Sequence, residues 1–218
     1  MTQTASKKPV SKKRKSVRGA EGDRAARILE SADALFCEQG FEGVSLRDVA
    51  EKADVNKALI LYYYKSKAGL FATVLEGYYA SHASVLEGAM GFEGPFRERV
   101  HALLDGYFDF MEANRRYTRL IQQEIARASE HLPIIRKSLT LLAALVEAVL
   151  SEGLPATGPL ARKHFFLTFS AMMINYFTYA PALSTLWGED PLSQPALDER
   201  RAHVHWVVEC MLEGLERT

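Results

Sequence analysis

An all-α fold, with a small helical unit first and a larger one behind it, is what this sequence predicts, on three observations. Apolar residues recur at three- and four-residue spacing in every long stretch, no stretch alternates apolar and polar residues as a strand would, and capping or breaking residues fall between the stripes. The divisions that follow are a basic segment over residues 1 to 20, a first domain over 22 to 82 and a second over 83 to 218.

Residues 1 to 20 hold Lys7, Lys8, Lys12, Lys13, Arg14, Lys15 and Arg18, no acid and almost nothing apolar. Such a segment buries too little surface to order itself, so a disordered tail is expected. A solubilising tail and a basic arm that tracks phosphates are equally open readings of it.

Ile28, Leu29, Ala32, Leu35 and Phe36 form the stripe of a first helix, Asp23 to Gln39, with Gly40 as its stop. Ser45 with Asp48 three residues on is a variant capping box, and Leu46, Val49, Ala50 and Ala53 stripe a short second helix. Residues 54 to 56 make a turn, Asn56 caps a third helix from Lys57 to about Tyr64, and Ser66 caps a fourth. Two helices of about seven residues with a three-residue turn between them fit a helix-turn-helix unit. Ile60 and Tyr64 share the inward face, which leaves Lys57, Ala58 and Leu61 outward.

The rest continues as helices. One stripe starts at Phe96 after the break Gly91 to Pro95, another covers Arg119 to Ala128, and a third runs Leu139 to Leu150 before Gly153 and Pro155. The segment Phe165 to Gly188 carries no charge, yet its Thr, Ser and Asn residues and Pro181 favour a helix buried in a core or subunit interface over a membrane span. A last stripe covers Leu197 to Leu215.

Formal charge is zero overall but unevenly spread: residues 1 to 67 carry 14 Lys/Arg against 9 Asp/Glu, and residues 68 to 218 carry 13 against 18. A basic front on an acidic back fits a nucleic-acid face attached to a non-binding body. The N-terminus has no apolar signal region, and Cys37 and Cys210 lie far apart, so a reducing, cytoplasmic setting is expected.

The run from Ile28 to Phe71, with its LF-x-x-x-GF pair at Leu35 to Phe41, Ser45-x-x-x-Val49-Ala50 and the YYYKSK end at Tyr62 to Lys67, resembles the N-terminal domain of TetR-family transcriptional regulators over about fifty residues. The resemblance implies a helical DNA-binding domain followed by a larger helical domain that dimerises and binds a small molecule. It also implies a homodimer on double-stranded DNA, a repressor released by an effector, with the Phe165 and Leu197 helices forming a four-helix interface. An effector-independent regulator, or an enzyme or transport-associated protein keeping the motif as a structural module, are the alternatives.

For DNA contact the candidates are Arg47 (guanine or phosphate) and Lys57, Ala58, Leu59 and Leu61 at the start of the third helix (base edges). Ser45, Tyr62, Tyr63 and Lys67 are candidates for phosphates, and the cap Asn56 belongs with the set. Many members carry tyrosine where this chain has Leu61, so a phosphate role does not transfer to that position. For an effector, Tyr107, Phe110, Tyr117, Phe166, Asn175, Tyr176 and Tyr179 are aromatic or polar groups on apolar helices, although core filling explains such residues as readily. No nucleophile elbow, phosphate loop, dinucleotide motif or cysteine pair at metal spacing appears, so neither catalytic residues, metal nor cofactor is expected. His203 and His205 point about 200° apart on one helix, and His82, His101, His131 and His164 read as isolated core or surface residues.

Overall fold

The computed structural model describes residues 11 to 216, with side chains described for 22 to 215, and every regular element among them is a helix. The chain divides after Val74 into two compact units. Helices α1 (Ser11–Gly43), α2 (Leu46–Lys52), α3 (Lys57–Tyr64) and the start of α4 (Lys67–Met90) belong to the first. The rest of α4 belongs to the second, with α5 (Phe96–Ala113), α6 (Tyr117–Ala126), α7 (Leu132–Leu150), α8 (Arg162–Trp187) and α9 (Gln194–Glu216).

In the first unit the apolar stripe of α1 meets Val49 of α2, Ile60 of α3 and Leu70 and Phe71 of α4, all fully buried. Phe36 and Phe71 pack edge to face with centroids 4.9 Å apart, and Phe41 lies 5.0 Å from Phe71. Phe41 returns to this cluster because Gly40 takes φ 73°, a left-handed conformation that costs glycine little. The stop expected at Gln39 is therefore a kink, after which the helix resumes to Gly43. The start also differs, at Ser11 and not Asp23: no apolar stripe marks that stretch, so periodicity carries no signal there. Of the expected disordered tail, residues 1 to 10 lie outside the described residues, as do the side chains up to residue 21.

In the second unit α5 is the central helix, packed on α7, α8 and α9. Its inward residues Val100, Leu103, Leu104, Phe108 and Met111 are buried at the three- and four-residue spacing that the sequence predicts. Helix α7 starts at Leu132, seven residues before the expected start; Pro133 falls in its first turn, where a missing N–H costs nothing. Helix α8 continues through Pro181 to a left-handed Gly188. One side of α8 buries Phe165, Phe169, Met173 and Phe177, while Leu167, Tyr179 and Leu186 on the other are 65%, 59% and 75% exposed. No helix among the described residues is long and apolar enough to cross a membrane.

A polar ladder also ties α5 to α9. Arg97 and His101 both pair with Glu209, the rings of His101 and His205 stack with Nδ1 atoms 2.5 Å apart, His205 Nε2 lies 2.8 Å from Asp105, and Arg201 bridges Asp105 and Asp109. Burial alone would raise the Asp105 carboxyl, but the hydrogen bonds from His205 and Arg201 outweigh it and hold it below its ordinary range. His101 is thus not isolated; its partner comes from 104 residues away.

Candidate nucleic-acid interface and internal cavity

The short helices α2 and α3 are held by their ends. Ser45 Oγ accepts from the N–H groups of Arg47 and Asp48, both at 3.2 Å, and Ser45 N–H donates back to Asp48 Oδ2 at 2.7 Å. That backbone bond first, then the Ser45 hydroxyl, holds the Asp48 carboxyl below its ordinary range. Asn56 Oδ1 accepts from Ala58 N–H at 2.8 Å, starting α3. At its far end the Tyr64 hydroxyl donates to the Ala25 carbonyl at 3.1 Å, and Ser66 Oγ accepts from Gly69 N–H at 2.9 Å to open α4. A Cβ on Gly69 would fall 2.2 Å from the Tyr64 carbonyl oxygen, so only glycine permits this close passage from α3 to α4.

With Ile60 fully buried, α3 turns Lys57, Ala58, Leu61 and Tyr62 to solvent, Tyr62 with 70% of its surface exposed. Leu59 and Tyr63 are half-buried, and the Tyr62 and Tyr63 rings meet edge to face at 5.3 Å. No acid stands in the first turn of α3, so the partial positive charge of its N-terminus and the ammonium of Lys57 add. At α2 the balance is reversed. Asp48 occupies the helix N-terminus and the Ser45 hydroxyl is committed to the cap, which leaves exposed Arg47 as that helix's attraction for a phosphate. Lys67 places its Nζ 4.2 Å over the Phe41 ring. Lys65 was not among the expected contacts. Its Nζ donates to the Tyr62 carbonyl at 2.9 Å, beside the exposed face, and the only sequence signal for it is its place between Tyr64 and Ser66.

The second unit holds a partly open cavity of about 260 Å³ among α4, α5, α6, α7 and α8. Tyr107, Tyr117 and Phe166 of the expected set line it, whereas Phe110 is buried against His82 and Tyr117 outside the lining. Asn175, Tyr176 and Tyr179 surround a different, open depression with Trp187 and Arg200, and the Tyr176 hydroxyl is spent on the Pro191 carbonyl at 2.7 Å. No residue lining the cavity is charged. Its polar groups are His82, Tyr107, Tyr117 and Ser170; Ser170 hydrogen-bonds Tyr107, and burial pushes both phenols up and His82 down to about 4. His82 and Ser170 were not expected. No periodicity argument selects a histidine on a helix face that only the folded chain shows to border a cavity.

A capped pair of short helices presenting one face to solvent, ahead of a larger helical unit with an internal cavity, defines the class of helix-turn-helix regulators. Residues 28–74 match the model of bacterial regulatory proteins of the tetR family, and residues 97–208 match the tetracyclin repressor-like C-terminal domain. The chain belongs to the TetR family of transcriptional regulators. It is 34% identical to YttP of Bacillus subtilis (strain 168) over 101 residues, 45% of this chain and 49% of that one. It is 26% identical to the transcriptional activator FasR of Mycolicibacterium smegmatis over 53% of this chain and 52% of that one. The chain thus spans about half the length of these two relatives. With the transcriptional repressor NicS of Pseudomonas putida the match, at 27% identity, covers 92% of this chain and 97% of that one. Among solved structures, the fatty acid degradation regulator FadR from Bacillus halodurans shares the fold with a TM-score of 0.68 at 18% identity, over 88% of this chain and 96% of that one.

Proposed function

We propose that this regulator is a repressor that binds a palindromic operator as a homodimer in the cytoplasm and leaves it when a small molecule occupies the cavity. The observation that carries the reading is the outward face of α3, Lys57, Ala58, Leu61 and Tyr62, on a helix pinned at both ends. On duplex DNA, Lys57 would meet base edges, Ala58, Leu59 and Leu61 thymine methyl groups, and Arg47, Tyr62, Tyr63 and Lys67 phosphates, with Ser45 and Asn56 fixing the register. The exposed apolar side of α8, with Trp206 of α9 62% exposed, supports a second copy covering it. The near full-length likeness to a protein named as a repressor supports the sign of the output. Release is a population shift: a ligand with higher affinity for a dimer whose heads are mis-spaced lowers operator affinity, by about 5- to 150-fold for a coupling of roughly 1 to 3 kcal/mol. Fluorescence anisotropy of labelled duplex against the full chain, at rising salt, tests the reading. A steep loss of affinity with salt and a preferred sequence are expected; absence of both overturns it.

A further inference from the structure

The cavity's chemistry restricts what can fill it. A 150 Å³ apolar cavity admits benzene, so about 260 Å³ accommodates a body of roughly two fused rings. An ionised group inside would lose its hydration with no counter-charge, because no lining residue is charged. The lining is nevertheless not inert. His82 is buried, its Nδ1 has no hydrogen-bond partner, and its ring lies nearly parallel to Tyr107 and Phe110, with centroids 4.7 and 4.3 Å away. An imidazole held in this way is fixed in orientation by its neighbours and unsatisfied at one atom. Burial keeps it neutral. In the neutral ring one nitrogen carries the proton and the other accepts, and with the proton on Nε2 the unpaired Nδ1 is an acceptor.

We infer that the cavity selects an uncharged, mainly apolar molecule of about two rings that carries one O–H or N–H donor, and that His82 Nδ1 is the acceptor that recognises this donor. The inference rests on the proposed effector role of the cavity and adds the ligand's chemical class and its reader. Removing a donor from such a ligand leaves Nδ1 buried and unpaired in the complex as well, and that difference is what sets specificity.

Three probes of one shape separate the possibilities: 2-naphthol with a donor, 2-methoxynaphthalene with an acceptor only, and 2-naphthoate with a charge. Binding to the full-length protein is measured by calorimetry for the wild type and for His82→Phe, which keeps an aromatic ring and removes both nitrogens. The wild type is expected to bind 2-naphthol about tenfold tighter than 2-methoxynaphthalene and to reject 2-naphthoate. In His82→Phe that preference should vanish while 2-methoxynaphthalene still binds; a His82→Leu protein with the same outcome covers the case where the Phe variant does not fold. Equal affinities in the wild type, or a preference that survives both substitutions, would overturn the inference. Failure of all three probes to bind would overturn both it and the effector role. The predicted ranking without any change in operator affinity would uphold the inference and sink the effector role alone.

Discussion

The outward face of α3 and the cavity of the second unit are built on opposite principles. The first is exposed and cationic, and hydrogen bonds between residues two or three apart in sequence start its helices. The second is recessed, lined without charge, and its walls come from five helices spread over residues 82 to 174. A surface of the first kind acts through long-range electrostatics that ions screen. A cavity of the second kind acts through shape and a few dehydrated polar atoms, to which ions are indifferent.

Salt should therefore separate the two regions most strongly. Between 50 and 200 mM salt, duplex affinity is expected to fall about a thousandfold or more if six or more phosphates are contacted, while 2-naphthol affinity changes by less than about twofold. A parallel loss of both would erase the distinction. Acid should separate them the other way. His82, at about 4 in the folded chain, lies below its unfolded value of 6.5, so the unfolded state takes up the proton first as pH falls. Its contribution is intact above pH 6.5 and is lost as pH falls toward and through 4, roughly 3 kcal/mol in all. Urea unfolding across that window should show the wild type losing about this much stability relative to His82→Phe between neutral pH and the acid end, and parallel curves would contradict the buried, neutral state.

Within the reading face, Lys57→Ala should cost about 1 to 3 kcal/mol against operators with a guanine opposite it and relax preference at that base pair. Lys67→Ala should instead weaken all duplexes alike and lower the salt slope by about one. Competition binding with permuted sites distinguishes these; identical effects would contradict the division of roles. The smallest effect is expected at Ser45→Ala, about 1 kcal/mol of stability from the lost cap, read as a lower urea midpoint with naphthol binding unchanged.

The same contrast explains what could be read from sequence. Ser45 with Asp48, Asn56 before Lys57 and Ser66 before Gly69 are local signals, and each forms the cap that its residue type and spacing predict. The burial of Ile60 and exposure of Leu61 follow from one helical period. Convergence over distance left no such trace. In sequence His205 has only His203 nearby on its own helix, yet its ring meets His101 of α5, and Tyr107 and Tyr176 look alike in sequence but border different spaces. The kink at Gly40 and the passage of Pro181 inside α8 are of this kind too: the residue marks a possible break, and packing decides whether the helix ends.

Selection from a pool of randomised duplexes with the full-length wild type and with Lys57→Ala bears most directly on the central claim that α3 reads sequence from a paired, symmetric protein. The account predicts an enriched inverted repeat for the wild type, its half-sites about 34 Å or a multiple apart, and for Lys57→Ala the same repeat with one base pair per half-site relaxed. No enriched sequence, or an enriched repeat that Lys57→Ala leaves unchanged at every position, would contradict it.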